Sequence, residues 1–240
     1  MGEKSFRFAA AVAALFLVVF CSPAESLEKR VGRLAAADDR AWQAGLSITI
    51  AYYNICTGWV WIWDDWSPND VVGVTYPTGS NFTGTLVSTW WFFGDGAPAG
   101  YGFTGAVEAW NLDSNECPAG APIASQSFLP ASGWNLITWG DPGVIDFAVT
   151  FTFGPGAGSP VEVWTDHPAA GPTGPQACGT CYPSSRNNHS FYFGTTTVPF
   201  CPGQPLNDGV CDAQFLQDVQ TVFIDYVEPT SWGAVKEMFR

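Results

Sequence analysis

Apolar and polar residues alternate at every second position along much of the chain. In VIDFAVTFTF (144–153), large apolar side chains take one parity, while Asp146, Thr150 and Thr152 fall on the other. LSITIAYYNI (46–55) begins with the same alternation. A period of two puts successive side chains on opposite faces of an extended chain, so both stretches are predicted to be half-buried β-strands.

Short runs of the same kind recur between clusters of Gly and Pro, such as GDGAPAG (94–100) and GPGAGSP (154–160). Many short strands without intervening helices indicate a sandwich or a barrel. We therefore predict an all-β domain over residues 45–227, folded as an antiparallel two-sheet β-sandwich of jelly-roll-like type. The further predicted strands are 71–76, 83–93, 103–111, 134–139, 161–165, 190–198 and 219–225.

The N-terminal end has the pattern of a secretory signal peptide over residues 1–24. Lys4 and Arg7 precede an apolar run at 8–20, and small residues lead to Ala24. The run is too short to span a bilayer comfortably, because a transmembrane helix needs about 20 apolar residues. We expect cleavage after Ala24, export to the cell surface or beyond, and no transmembrane segment in the mature chain.

Residues 25–44 differ from the predicted sandwich. Leu27, Val31 and Leu34 fall at helical spacing in an Ala-rich, charged segment. We expect a short helix or a linker, with an unstructured leader remnant as the alternative.

The C-terminal stretch 228–240 returns to helical spacing. Thr230 or Ser231 is placed to cap a helix, and Trp232, Val235 and Met238 would share one face. Its last ten residues, SWGAVKEMFR, fit the form SWGxxKxxxR. This tail resembles the tails of uncharacterised exported β-sandwich proteins of environmental bacteria. The resemblance implies a bacterial source and a docking or sorting role for an amphipathic tail, and it implies no catalytic residue.

The charge balance excludes some partners. The chain has a formal net charge of −13, and Arg186 is the only Lys or Arg between Trp42 and Val235. Nucleic acids and anionic lipid surfaces are bound through clusters of basic residues. We therefore expect no nucleic-acid partner.

Cysteine usage fits export. Loss of Cys21 with the signal peptide leaves an even number of cysteines, which favours disulfides in an exported chain. Cys201 with Cys211 and Cys178 with Cys181 would close short loops, leaving Cys56 with Cys117 across the fold. A redox role for CGTC (178–181) is disfavoured because no βαβ pattern surrounds it. A zinc site formed by Cys178, Cys181, Cys201 and Cys211 is disfavoured because the spacing of these cysteines is poor. The predicted disulfide cysteines are Cys56, Cys117, Cys178, Cys181, Cys201 and Cys211.

CTGWVWIWDDW (56–66) is the most unusual stretch. In a strand, Trp59, Trp61 and Trp63 share one face, and the opposite face is also apolar. The row then belongs to a core strand, lies under another segment, or forms a platform on which sugar rings stack, with Trp66 beside it. A packed, structural row is the first choice, and a polysaccharide is the ligand that the platform would take.

The acidic segment that follows is a candidate cation site. Oxygen ligands on a loop suit calcium, the one cofactor that the sequence suggests. The segment lacks the Gly and the Glu of a calcium loop, so the alternative is a turn whose Asp and Asn side chains bind the main chain. The candidate ligands are Asp64, Asp65, Asn69 and Asp70.

Signals for catalysis are weak. A glycosidase needs two carboxylates facing one cleft, and Glu108 and Glu162 are the strand-borne candidates. No Gly-x-Ser-x-Gly elbow is present. We predict an exported, non-enzymatic β-sandwich with a binding or structural role, its partner a polysaccharide or a cell-surface molecule. The alternative is a carbohydrate-active module, either a sugar-binding domain or a glycoside hydrolase-like one, that uses the tryptophan row.

Overall fold

The computed structural model describes residues 28–33, 47–53, 55, 58–78, 83–94, 101–157, 161–166, 189–194, 204–205 and 213–223. The described part contains strands and turns and no helix. The strands are β1 Glu28–Arg33, β2 Ser47–Ala51, β3 Trp59–Asp64, β4 Val71–Tyr76, β5 Gly84–Phe93, β6 Gly105–Leu112, β7 Pro118–Phe128, β8 Gly133–Thr138, β9 Gly143–Val144, β10 Phe147–Thr152, β11 Val163–Asp166, β12 Ser190–Phe193, β13 Gln204–Pro205 and β14 Gln217–Phe223.

These strands form two antiparallel sheets, so the predicted β-sandwich is confirmed. In the eight-stranded sheet, β5 pairs with β8, β9, β14 and β11, while β3 joins β11 to β1 and β14 pairs with β2. The six-stranded sheet has the order β13-β12-β4-β10-β6-β7.

The main core lies between the two sheets, as the alternating pattern requires. On β10, Phe147, Val149 and Phe151 are fully buried and contact residues from both sheets. Trp91 on β5 meets Phe151 edge to face, with ring centroids 6.0 Å apart. Such edge-to-face pairs stabilise a core beyond the area that they bury.

The eight-stranded sheet also carries an apolar cluster on its outer face. Val60 and Ile62 of β3 pack there with Phe92 of β5, Trp164 of β11 and Leu216, which immediately precedes β14. All five side chains are nearly inaccessible to solvent. Half-buried side chains of Tyr53, Ile55 and Trp134 pack against this outer-face cluster. A sandwich strand usually has one polar face, so β3 is unusual in having apolar neighbours on both sides.

The helical interpretation of residues 25–44 needs correction at residues 28–33. These residues form β1, which pairs with β3 from Glu28↔Asp64 to Arg33↔Trp59. Main-chain pairing with the edge of β3 outweighs a weak local helical preference, because propensity is easily overridden by tertiary contacts.

Other sequence expectations about the ends fall outside the described residues. These are the signal peptide (1–24), the rest of 25–44 and the C-terminal tail (228–240). Within the described part of the chain, no helix is long and apolar enough to cross a membrane.

Candidate functional site

The tryptophan row runs along β3 and turns toward the main core. Trp63 is buried, and its indole Nε1 donates to Thr165 Oγ1 of β11 at 2.9 Å. Trp61 is half-buried against the same core, and Trp59 is half-buried at the start of the strand. The alternation of β3 therefore places the row between the sheets and sends Val60 and Ile62 to the outer-face cluster.

Trp66 lies beyond the end of β3 and is more deeply buried than the row itself. Its exposed fraction is 1%, its ring stacks on Phe153 at 4.9 Å and 7°, and its Nε1 donates to Trp63 O at 3.0 Å. The indole faces of Trp63 and Trp66 are thus covered by protein. Only Trp59 and Trp61 keep part of their surface accessible to a ligand.

The acidic segment after β3 forms a tight turn. Asp70 is buried, its Oδ2 accepts from the main-chain N–H of Ser67 at 2.7 Å, and its own N–H donates to Ser67 O. Asp65 and Asn69 are exposed and have left-handed φ values of 62° and 72°. Asn and Asp favour such positions because their side chains bind the local main chain.

Among the described residues, which include Asp64, Asp65 and Asp70, no group of three His, Cys, Asp or Glu side chains is placed to hold a metal ion. The contacts of Asp70 instead fit the alternative of a turn stabilised by its own side chains.

The two strand-borne glutamates lie on opposite outer faces of the sandwich. Glu108 alternates on β6 with the core residues Val107 and Ala109, so it points away from the core. Glu162 precedes β11, and its Oε2 accepts from Trp164 Nε1 in the outer-face cluster at 3.1 Å. Two carboxylates separated by the sandwich cannot flank one glycosidic bond, so this pair does not form a glycosidase site.

An aromatic and polar cluster that the sequence did not predict lies at one end of the sandwich. Tyr52, just after β2, stacks on His189 with ring centroids 3.7 Å apart and on Tyr76 at 5.5 Å. Tyr76 donates its hydroxyl to Gln217 Oε1 at 2.9 Å inside the core. Tyr52 and His189 are far apart in the sequence, so no local pattern around either residue predicts that their rings are in contact.

The electrostatics of this cluster favour neutral tyrosines. Burial, followed by the nearby carboxylates Glu116 and Asp146, raises the pKa of Tyr52 to about 12. Burial also raises the pKa of Tyr76 well above its usual value. Both shifts disfavour the phenolate, because a charge is costly away from water.

These shifts predict a loss of stability at alkaline pH. Unfolded tyrosines ionise near pH 10, while Tyr52 stays protonated in the folded protein up to about pH 12. The stabilising contribution is therefore complete below pH 10 and falls as the pH rises from 10 toward 12. We expect Tm to drop between about pH 10 and about pH 12, as measured by circular dichroism.

The control for this pH effect is Tyr52→Phe, which removes the ionisable hydroxyl and keeps the ring. The variant should show a shallower fall of Tm over the same interval. An identical pH dependence in both proteins would contradict a role for Tyr52.

Of the predicted disulfide cysteines, the structure describes Cys117 alone. It lies immediately before β7 and is buried, and its N–H donates to Asp113 Oδ1 at 3.0 Å. Cys56, Cys178, Cys181, Cys201 and Cys211 lie outside the described residues.

Comparison with known proteins adds no family. No protein-family model matches the chain, and no curated protein matches it in sequence. The class of the protein is therefore the one that its fold defines, an antiparallel two-sheet β-sandwich with an aromatic core.

Proposed function

We propose that this protein is an exported β-sandwich that acts by binding or as a structural element at or outside the cell surface, without enzymatic activity. The observation that carries the proposal is that carboxylates of this protein bind its own main chain. Asp residues that a catalytic or metal site would employ accept hydrogen bonds from main-chain N–H groups of turns and loops.

Three aspartates illustrate this use. Asp70 Oδ2 binds the N–H of Ser67, as described above. Asp113 Oδ1 accepts from two main-chain N–H groups of the loop before β7, at 2.8 and 3.0 Å. Asp146 Oδ1 accepts from the N–H of Thr78 at 2.7 Å. Side chains bound in this way stabilise loops, and such hydrogen bonds to charged groups contribute about 1.5–3 kcal/mol each.

The packing of the tryptophan row supports a structural role for it. A sugar platform needs exposed indole faces, while Trp63 and Trp66 are enclosed by the core. The carbohydrate-active alternative keeps support from the half-buried Trp59 and Trp61 alone.

The proposal is tested on the protein secreted by its source cells or by a bacterial host. Mass spectrometry should give an N-terminus at Glu25, without lipid. Incubation with a panel of polysaccharides should release no reducing ends above a heat-denatured control. An intact Met1 would contradict export. Turnover that Glu108→Gln or Glu162→Gln abolishes would contradict a non-enzymatic role.

We further predict that Cys117 pairs with Cys56. One observation supports this pairing. Glu116, the neighbour of Cys117, lies near enough to Tyr52 to raise the pKa of that tyrosine, and Tyr52 is four positions before Cys56 in the sequence. Peptide mapping without reduction should give a linked peptide that contains both residues, and a link from Cys117 to any other cysteine would contradict the assignment.

A further inference from the structure

Two hydrogen-bond donors inside the sandwich have no acceptor among the described residues. They are the indole Nε1 of Trp91 on β5 and the amide Nε2 of Gln217 on β14. Trp91 is fully buried and Gln217 is 1% exposed, so bulk water does not reach either nitrogen. A buried donor without an acceptor bears the full cost of its lost hydration, so folded proteins rarely leave one unbonded.

The other buried indoles show that Trp91 is an exception in this fold. In each of the four other buried tryptophans of the described residues, Nε1 donates to an oxygen of the protein at 2.9–3.1 Å. These are Trp63, Trp66, Trp139 and Trp164. The N–H of Trp91 therefore requires an acceptor that the described protein atoms do not supply.

The two unbonded donors lie side by side. Gln217 and Trp91 are directly opposite each other in the pairing of β14 with β5. Residues opposite each other in an antiparallel pair share one face of the sheet, with Cβ atoms about 4.5–5.5 Å apart. Trp91 belongs to the main core, so this shared face is the one that lies between the two sheets. One small acceptor between the two side chains can be reached from both.

Tyr76 supplies the third group of this site. Its hydroxyl donates to Gln217 Oε1 at 2.9 Å, and the hydroxyl oxygen keeps lone pairs that can accept a hydrogen bond. A water molecule can accept from Trp91 Nε1 and Gln217 Nε2 and donate to Tyr76 Oη. It would then make about three hydrogen bonds, the usual number for an internal water.

An anion fits this position less well than a neutral acceptor. The surroundings are aromatic, since Phe151 and Phe215 pack around the ring of Trp91. Burial also raises the pKa of Tyr76 well above its usual value, which shows that negative charge is disfavoured there.

We propose that Trp91 and Gln217 bind one internal water molecule in the main core, with Tyr76 as its acceptor. Tyr76 lies on β4 of the six-stranded sheet, whereas Trp91 and Gln217 lie on the eight-stranded sheet. The water therefore links the two sheets through hydrogen bonds in an otherwise aromatic core. The inference goes beyond the proposed function and does not depend on it.

Nuclear magnetic resonance of the protein labelled with ¹⁵N tests the proposal. We expect a cross peak between the indole proton of Trp91 and water, with the sign of a bound molecule that exchanges slowly. Trp66 is the internal control, because its equally buried indole donates to a main-chain carbonyl, which carries no exchangeable proton. A missing peak at Trp91, or an equal peak at Trp66, would overturn the proposal.

Tyr76→Phe separates a bound water from the exchanging proton of the Tyr76 hydroxyl. The cross peak at Trp91 should persist in this variant, because the donors on Trp91 and Gln217 remain and Gln217 Oε1 is freed as an acceptor. Loss of the peak would assign it to the tyrosine hydroxyl and would overturn the proposal.

Gln217→Met tests the second donor, because it keeps the length of the side chain and removes its amide. The cross peak at Trp91 should be lost. The matched control on the same strand is Gln220→Met, since the amide of Gln220 binds the hydroxyls of Ser88 and Ser47. This control should keep the peak at Trp91. An undiminished peak in Gln217→Met, or its loss in both variants, would contradict the assignment of Gln217, and if Gln217→Met does not fold, the spectra of the parent and of Tyr76→Phe decide.

Discussion

Replacing Trp66 with alanine is expected to lower the free energy of unfolding by about 3–5 kcal/mol, the usual range for truncating a large buried aromatic residue. The ring is 1% exposed and stacks on Phe153, while Tyr192 meets it edge to face at 6.3 Å. Alanine removes these contacts and leaves Trp63 O without its indole donor. In a chain of this length, Tm should fall by about 6–20 °C.

Trp59→Ala is the control from the same stretch of sequence. Trp59 is only half-buried, so its truncation removes less apolar surface from the core and should cost clearly less stability. Both free energies come from urea unfolding followed by fluorescence and circular dichroism. Equal losses in the two variants, or a Trp66→Ala variant that melts like the parent, would show that this end of the tryptophan stretch is not a structural anchor.

The strand pattern of the sequence predicts most of the fold. β4 has the predicted bounds, and the apolar parity of 144–153 gives the core face of β10. Ile145 shares that parity but is 46% exposed, because it precedes β10, which begins only at Phe147. Periodicity identifies strands that bury one face, and it locates their ends less well.

β7 shows why periodicity fails elsewhere. Its residues are mostly Ala, Gly, Pro and Ser, a composition typical of loops. The strand exists because β6 offers main-chain partners at both of its ends, on either side of an irregularity in the register between Ala109 and Asn111. Pairing of this kind depends on tertiary context and leaves no alternating apolar signal in the strand itself.

The sequence predicts which residues of β3 share a face with the tryptophan row, but it does not predict which other segments pack against that strand. The sequence places Val60 and Ile62 opposite the row, which the structure bears out. The side chains that pack on that opposite face include Tyr53, Trp134 and Trp164, which lie on segments far apart along the chain. Tyr52 and His189 are also far apart in the sequence, so their stacking could not be predicted from it.

A second large effect is expected from Gly154→Ala. Gly154 follows the core residue Phe153 at the point where the chain passes the start of β6. A Cβ placed on Gly154 would lie well inside the van der Waals contact distance of the main-chain oxygen and carbon of Thr104, and close to the N of Gly105. Main-chain atoms at the start of a paired strand cannot rotate away as a side chain would. We expect a loss of about 3 kcal/mol, the upper end of the cost of overpacking.

Gly140→Ala controls for the loss of glycine itself. A Cβ at Gly140 meets no atom within 4 Å, and Gly140 is not among the residues with positive φ. Alanine there should leave stability unchanged or raise it by up to about 1 kcal/mol, since it restricts the unfolded chain. Thermal and urea unfolding of the two variants measure the contrast. If Gly154→Ala is as stable as Gly140→Ala, then β6 and the turn after β10 do not approach as closely as described, and the packing of that end of the six-stranded sheet is looser than its aromatic core implies.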